Sequence, residues 1–196
     1  MTGAPADKPA PLRIQGGEKV LTLEARTSLL LAVDFQARLM PAINEGAAVI
    51  ENARRLVAAA EMLDVPTLFT EQNAEKLGAT VPELAPNPMS VVAKMTFDAL
   101  RTPGVLERVD KGRSIVLLGC EAHVCILQTA LGLIEQGYRT FVVADAVGSR
   151  RAESKESALR RMERRGVEIV TTEMVLFEWL GTAAHPRFRE IVALIK

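Results

Sequence analysis

The chain has 196 residues, with 24 Lys+Arg against 24 Asp+Glu and a formal net charge of +0, so it lacks the global field that gathers phosphate backbones or anionic lipid. Hydrophobic residues make up 48% and aromatics 4%, which is too apolar for a disordered chain and leaves Ala, Val and Leu to fill the core. Two cysteines, Cys120 and Cys125, are too few for a disulfide scaffold and mispaced for a CxxC site, which points to a reducing, cytosolic compartment.

In chain order, residues 1–17 carry Pro5, Pro9 and Pro11 and close on Gly16-Gly17. They read as a flexible arm ahead of a single domain over 18–196, in keeping with a prior of roughly 150 residues per domain. Leu29 to Val33 is a continuous apolar run ending at Asp34, the pattern of a strand buried on both faces. Ala47 to Leu63 places Val49, Ile50, Ala53, Leu56, Val57, Ala60 and Leu63 at helical spacing, an amphipathic crossover helix. Pro66 introduces a second strand over Thr67 to Thr70.

From Glu71 to Lys94 the rhythm breaks, because Pro82, Pro86 and Pro88 with Gly78 and Asn87 forbid a regular helix over most of the stretch. The segment ends in Val91-Val92-Ala93-Lys94, a short strand that delivers a lysine to the same rim as Asp34. Further strands are read at Ile115 to Gly119, Thr140 to Ala144 and Val167 to Thr171, with helices from Val124 to Gln136, Glu153 to Arg165 and Glu173 to Leu180. This alternation predicts an α/β three-layer α/β/α Rossmann-like sandwich with a mainly parallel sheet of about six strands, which puts functional groups at the carboxyl ends of the strands. No run reaches the roughly 18 apolar residues of a membrane-spanning helix.

Three strand-end groups form a chemical set: Asp34 after LLLAV, Lys94 after VVA, and Cys125 in the turn after IVLLG. Taken singly, Cys125 reads as a small buried hydrophobe, Asp34 as a cap and Lys94 as a surface lysine. Their shared topological address favours a joint role, with Asp34 as base for the thiol and Lys94 as electrostatic partner in covalent acyl transfer. A helix N-terminus and a nearby ammonium predict a lowered pKa for Cys125. Cys120 reads as a packing residue. His123 and His185 sit in no paired ligand spacing, and the arginines from Arg150 to Arg165 are interleaved with Glu153, Glu156 and Glu163, which suits a solvated helix. Neither a G-x-G-x-x-G nor a P-loop is present, so a nucleotide fingerprint is lacking.

The stretch Val116 to Arg150, VLLGCEAHVCILQTALGLIEQGYRTFVVADAVGSR, resembles the nucleophile strand, turn and helix, and the following D-x-x-x-S-R loop, of the isochorismatase-like cysteine hydrolases. LLLAVDFQARLMPAI resembles that family's aspartate segment and VVAKMTFDAL its lysine segment. The resemblance covers about Leu29 to Lys196, and TEQNAEKLGATVPEL and HPRFREIVALIK bring the chain closest to the short isochorismatase-domain-containing proteins.

That resemblance implies an Asp34, Lys94 and Cys125 triad, an oxyanion hole from the backbone N–H groups of Glu121 and Cys125, and a cis peptide at Cys120–Glu121. It also implies a dimer or larger homo-oligomer. Where nicotinamidases carry an Asp-x-His metal pair, this chain reads Thr70-Glu71-Gln72-Asn73-Ala74, which implies no metal or other cofactor and argues against nicotinamide. Cys125 argues against isochorismate itself, whose hydrolysis does not require a cysteine. The expectation is a metal-independent hydrolase of a small amide or related acyl substrate, with Glu71, Gln72 and Phe97 as pocket walls and no nucleic-acid or membrane partner. A non-catalytic binding protein and a redox-active thiol protein stand as alternatives.

Overall fold

The computed structural model describes residues 20–196, so the expected arm over 1–17 lies outside the described residues. Six strands, β1 (Ser28–Val33), β2 (Thr67–Gln72), β3 (Val91–Lys94), β4 (Ser114–Cys120), β5 (Arg139–Gly148) and β6 (Glu168–Val170), form one sheet in the order β3-β2-β1-β4-β5-β6. Every pairing is parallel. All six residues of β1 are buried, which is why its sequence is an apolar run and not an alternating one.

Alternate side chains of the central strands feed two cores. Leu30 and Ala32 of β1 join Val116 and Leu118 of β4 on one face, under helices α1 (Gly46–Met62), α6 (Thr172–Leu180) and α7 (Phe188–Ala193). Leu29, Leu31 and Val33 join Ile115 and Leu117 on the other face, under α3 (Pro103–Leu106), α4 (Leu127–Glu135) and α5 (Ala152–Glu163). In α1 the residues Val49, Ala53, Leu56 and Ala60 are buried, the spacing that produces one apolar helical stripe. The result is the expected three-layer α/β/α arrangement. Among the described residues, no helix is long and apolar enough to cross a membrane.

The structure departs from the sequence expectations at several places, among them β5, expected to end at Ala144, which runs on to Gly148, and α3, which the sequence pattern does not mark. β2 runs on to Gln72, because Glu71 and Gln72 pair in register with Ala93 and Lys94 of β3, and a short helix α2 (Ala74–Leu77) follows. The helix expected from Val124 is preceded by a π-helical turn over Ala122–Ile126, which then runs into α4. The sequence reading assigned no bounds to α7, whose anchor on the core is the buried Ile191. One glycine is sterically required just before the Cys125 turn: Gly119 has φ +133, and a Cβ there would clash with the Val33 carbonyl oxygen. β1 and β4 therefore approach at Gly119 as no side chain would allow.

Candidate active site

The chain reverses its order of strand placement between β1 and β4, the position at which doubly wound sheets form a crevice outside the strand ends. Asp34 directly follows β1 and has a left-handed backbone, φ 57, a conformation that aspartate tolerates better than most residues. Its N–H donates to the Thr70 carbonyl at 3.0 Å, and its own carbonyl accepts from the Gln36 N–H at 2.9 Å. The carboxyl is fully buried, accepting from Thr70 Oγ1 at Oδ1 (2.8 Å) and from Lys94 Nζ at Oδ2 (2.7 Å).

Lys94 is the last residue of β3 and is itself 3% exposed. Its ammonium also donates to Gln72 Oε1 at 2.7 Å and to the Thr96 carbonyl at 3.2 Å. A buried ion pair is tolerated only where its remaining donors and acceptors are met, and here Thr70, Gln72 and Thr96 supply those partners. Gln72 is fixed in turn. Its N–H donates to Gln36 Oε1 at 2.8 Å, and its Nε2 donates to the Met95 carbonyl at 2.9 Å. The Gln36 amide, fully buried, donates to the carbonyls of Gln72 and Gly78.

Cys125 lies in the π-helical turn and is 6% exposed. It is close enough to Asp34 and Lys94 that both perturb it. Burial, and after it the Asp34 charge, push the thiol up to about 12, with Lys94 opposing. The expected lowering is therefore corrected, because loss of water, with the Asp34 charge beside it, outweighs the ammonium. Burial likewise raises the Asp34 carboxyl above its ordinary range, with Lys94 as the leading counterweight. Cys120, fully buried, is pushed up chiefly by burial and packs in the core beneath α1.

The peptide bond between Cys120 and Glu121 is cis. In the turn, the N–H groups of Val124 and Ile126 both donate to the Glu121 carbonyl, and that of Leu127 caps onto Ala122 and Val124. The Glu121 carboxylate is held from outside by Arg150, with Nε to Oε1 at 2.8 Å, and His123 Nδ1 meets Ser149 Oγ at 3.0 Å.

The structure thus brings Asp34, Lys94 and Cys125 to one point and sets Gln72 against Lys94. Glu71 is engaged with Thr80: its Oε1 accepts from the Thr80 N–H at 2.7 Å and Oγ1 at 2.8 Å. Phe97 is 51% exposed, on the segment between Lys94 and α4. With Glu71 committed to Thr80 and Gln72 to Lys94, these donors do not fit a metal centre, and among the described residues no group of three His, Cys, Asp or Glu side chains converges as one. Gln36 and Thr70 were missed by sequence reasoning. The sequence carries no signal for them, since what marks them is burial of a polar group and, for Thr70, its register partnership with Val33.

The isochorismatase domain family matches residues 28–174. Isochorismatase domain-containing protein 2 of Xenopus laevis is 39% identical over 176 residues, 88% of this chain and 85% of that protein, and its Homo sapiens counterpart is 36% identical over 173 residues, 87% and 83% of the two chains. Among solved structures, the MAR1 ribonuclease of Caenorhabditis elegans superposes with a TM-score of 0.82 at 34% identity, covering 89% of this chain and 92% of that one. The YcaC gene product of Escherichia coli, described as an octameric hydrolase of unknown specificity, gives 0.79 at 25% identity, covering 91% and 89%.

Proposed function

This chain belongs to the isochorismatase domain family, and from that premise we propose that it is a metal-independent cysteine hydrolase of small amides or related acyl compounds, working through a thioester. The observation that carries the reading is the buried Asp34–Lys94 pair, 2.7 Å apart, meeting the Cys125 thiol at the switch point of the sheet. Because burial keeps the resting thiol protonated, attack requires a base at hand. Asp34, with its own basicity raised, is that base. The Cys125 proton passes to the Asp34 carboxylate as sulfur bonds to the carbonyl carbon, and the oxyanion rests on the N–H groups of Glu121 and Cys125. Collapse expels the amine, which takes the proton from Asp34. Water then attacks the thioester, giving its proton to Asp34, and the acid leaves as the thiol is restored.

Membership in a family that includes an octameric hydrolase supports a homo-oligomer here, which light scattering on the purified protein reads directly. The ribonuclease name of one relative sets the rival substrate. A phosphodiester needs cations free to meet its charge, whereas Lys94 is committed to Asp34, Gln72 and Thr96. The test is intact-mass spectrometry of the protein incubated with a panel of aliphatic and aromatic amides, beside an RNA oligonucleotide. A Cys125-bound acyl adduct that is absent in Cys125→Ala is the expected result. Reversible oxidation of Cys125 with no adduct from any amide supports the redox-thiol reading instead, and RNA cleavage lost on Asp34→Asn supports the nuclease.

A further inference from the structure

We infer that this site selects substrates whose acyl part carries no charge, and that Gln72 determines the selection by occupying the Lys94 donor that an anionic substrate would need. The inference rests on the hydrolase reading above and names its substrate class. An ammonium has three N–H donors and no more. Those of Lys94 are spent on Asp34 Oδ2 at 2.7 Å, Gln72 Oε1 at 2.7 Å and the Thr96 carbonyl at 3.2 Å. The amide of Gln72 is locked in that orientation, since its Nε2 is held by the Met95 carbonyl.

Three arginines on surrounding segments are also engaged. Arg38 donates to the carbonyls of Glu75 and Lys76, Arg101 lies 3.4 Å from Asp98, and Arg150 holds Glu121. A carboxylate brought to the thiol would meet the Asp34 charge without a free Lys94 donor to offset it, and desolvating it there is unfavourable. What the segment after Lys94 offers is apolar. The Phe97 carbonyl accepts from Thr129 Oγ1, one helical turn beyond Cys125, so residues 95–98 span from Lys94 to the nucleophile helix. On that span Met95 and Phe97 are 70% and 51% exposed.

Iodoacetamide and iodoacetate form the probe pair, since each transfers a one-carbon arm to sulfur with loss of iodide and they differ in charge. Alkylation rates at Cys125 are measured on the native full chain by peptide mass spectrometry and divided by the rates at the same cysteine in urea. The expected result is a native preference for iodoacetamide about tenfold or more beyond the urea ratio, the size of one lost hydrogen bond to a charge. Gln72→Leu is expected to free a lysine donor and bring the ratio back toward the urea value, while Gln72→Glu, which keeps Lys94 occupied, retains the preference. A native ratio equal to that in urea, or an undiminished preference in a folded Gln72→Leu, overturns the inference and leaves the hydrolase reading standing. Native Cys125 inert to both reagents, while alkylated in urea, overturns both.

Discussion

Two aspartates in this chain look alike in sequence and are put to different use. Asp34 closes the apolar run LLLAV and Asp145 the run FVVA, and each belongs to a central strand or its end. Asp34 sits at the switch point between β1 and β4, fully buried against Lys94, Thr70 and Cys125. Asp145 lies within β5, one strand removed, where Oδ1 accepts from the N–H and Oγ1 of Thr172 at 2.8 and 3.0 Å and so caps the start of α6. An acid after an apolar run therefore announces neither a strand end nor a function by itself, since Asp34 follows β1 and Asp145 lies inside β5. The distinction comes from the neighbour: β3 delivers a buried ammonium to Asp34, whereas the partner of Asp145 is a helix terminus.

The sharpest way to break this pairing is to remove one charge at a time. On whichever amide gives the Cys125 adduct, Asp34→Asn is expected to lower kcat/KM by about a thousandfold, the range of a positioned general base. Asp145→Asn keeps an acceptor for Thr172 and is expected to stay within about threefold, the range of a residue remote from the reacting atoms. Equal losses would mean that β5 contributes to the chemistry and that the contrast is false.

A second difference concerns stability. Lys94→Met leaves the Asp34 carboxyl buried without its cation, and breaking a buried pair from one side costs about 3–5 kcal/mol. Asp145→Ala removes two hydrogen bonds to a carboxylate at a helix start, for about 1–3 kcal/mol. Urea unfolding of both variants, with Asp34→Asn/Lys94→Met as the double change, checks the order. The double variant is expected to recover most of the Lys94→Met loss, since the uncompensated charge is then gone.

The sheet was largely legible because strands buried on both faces must be apolar throughout, so LLLAV and IVLLG could hardly be anything else. Asp34, Lys94 and Cys125 were readable as strand ends for the same reason. Gln36 and Thr70 were not, because what they do depends on register: Thr70 reaches Asp34 only because β1 and β2 align Val33 with Thr70. The contact of Gln72 with Lys94 is not legible either, because β3 draws it into β2 by register and turns its side chain onto the ammonium. The departure at the thiol has a different origin. A sequence displays charged neighbours and a helix start but not the loss of water around a sulfur, and for Cys125 that loss outweighs the pull of Lys94.

The smallest expected effect is in alkali, and it separates the surroundings of Asp34 from those of Asp145 without any substrate. An unfolded thiol releases its proton near pH 9, while folded Cys125 is pushed up to about 12. Below the lower value both states hold the proton, and the contribution of this group to stability is fully present. As the pH rises between the two, the unfolded chain loses a proton that the folded one keeps, so unfolding is favoured and stability falls. Cys125→Ala removes that linkage, and the loss of stability between pH 8 and pH 10 is expected to be about 1 kcal/mol smaller than in the wild type. Asp145→Asn, which has no thiol beside it, is expected to leave the alkaline slope unchanged. Urea midpoints at the two pH values decide the matter, and a Cys125→Ala slope equal to that of the wild type would mean that the thiol is hydrated in the folded state and needs no base to activate it.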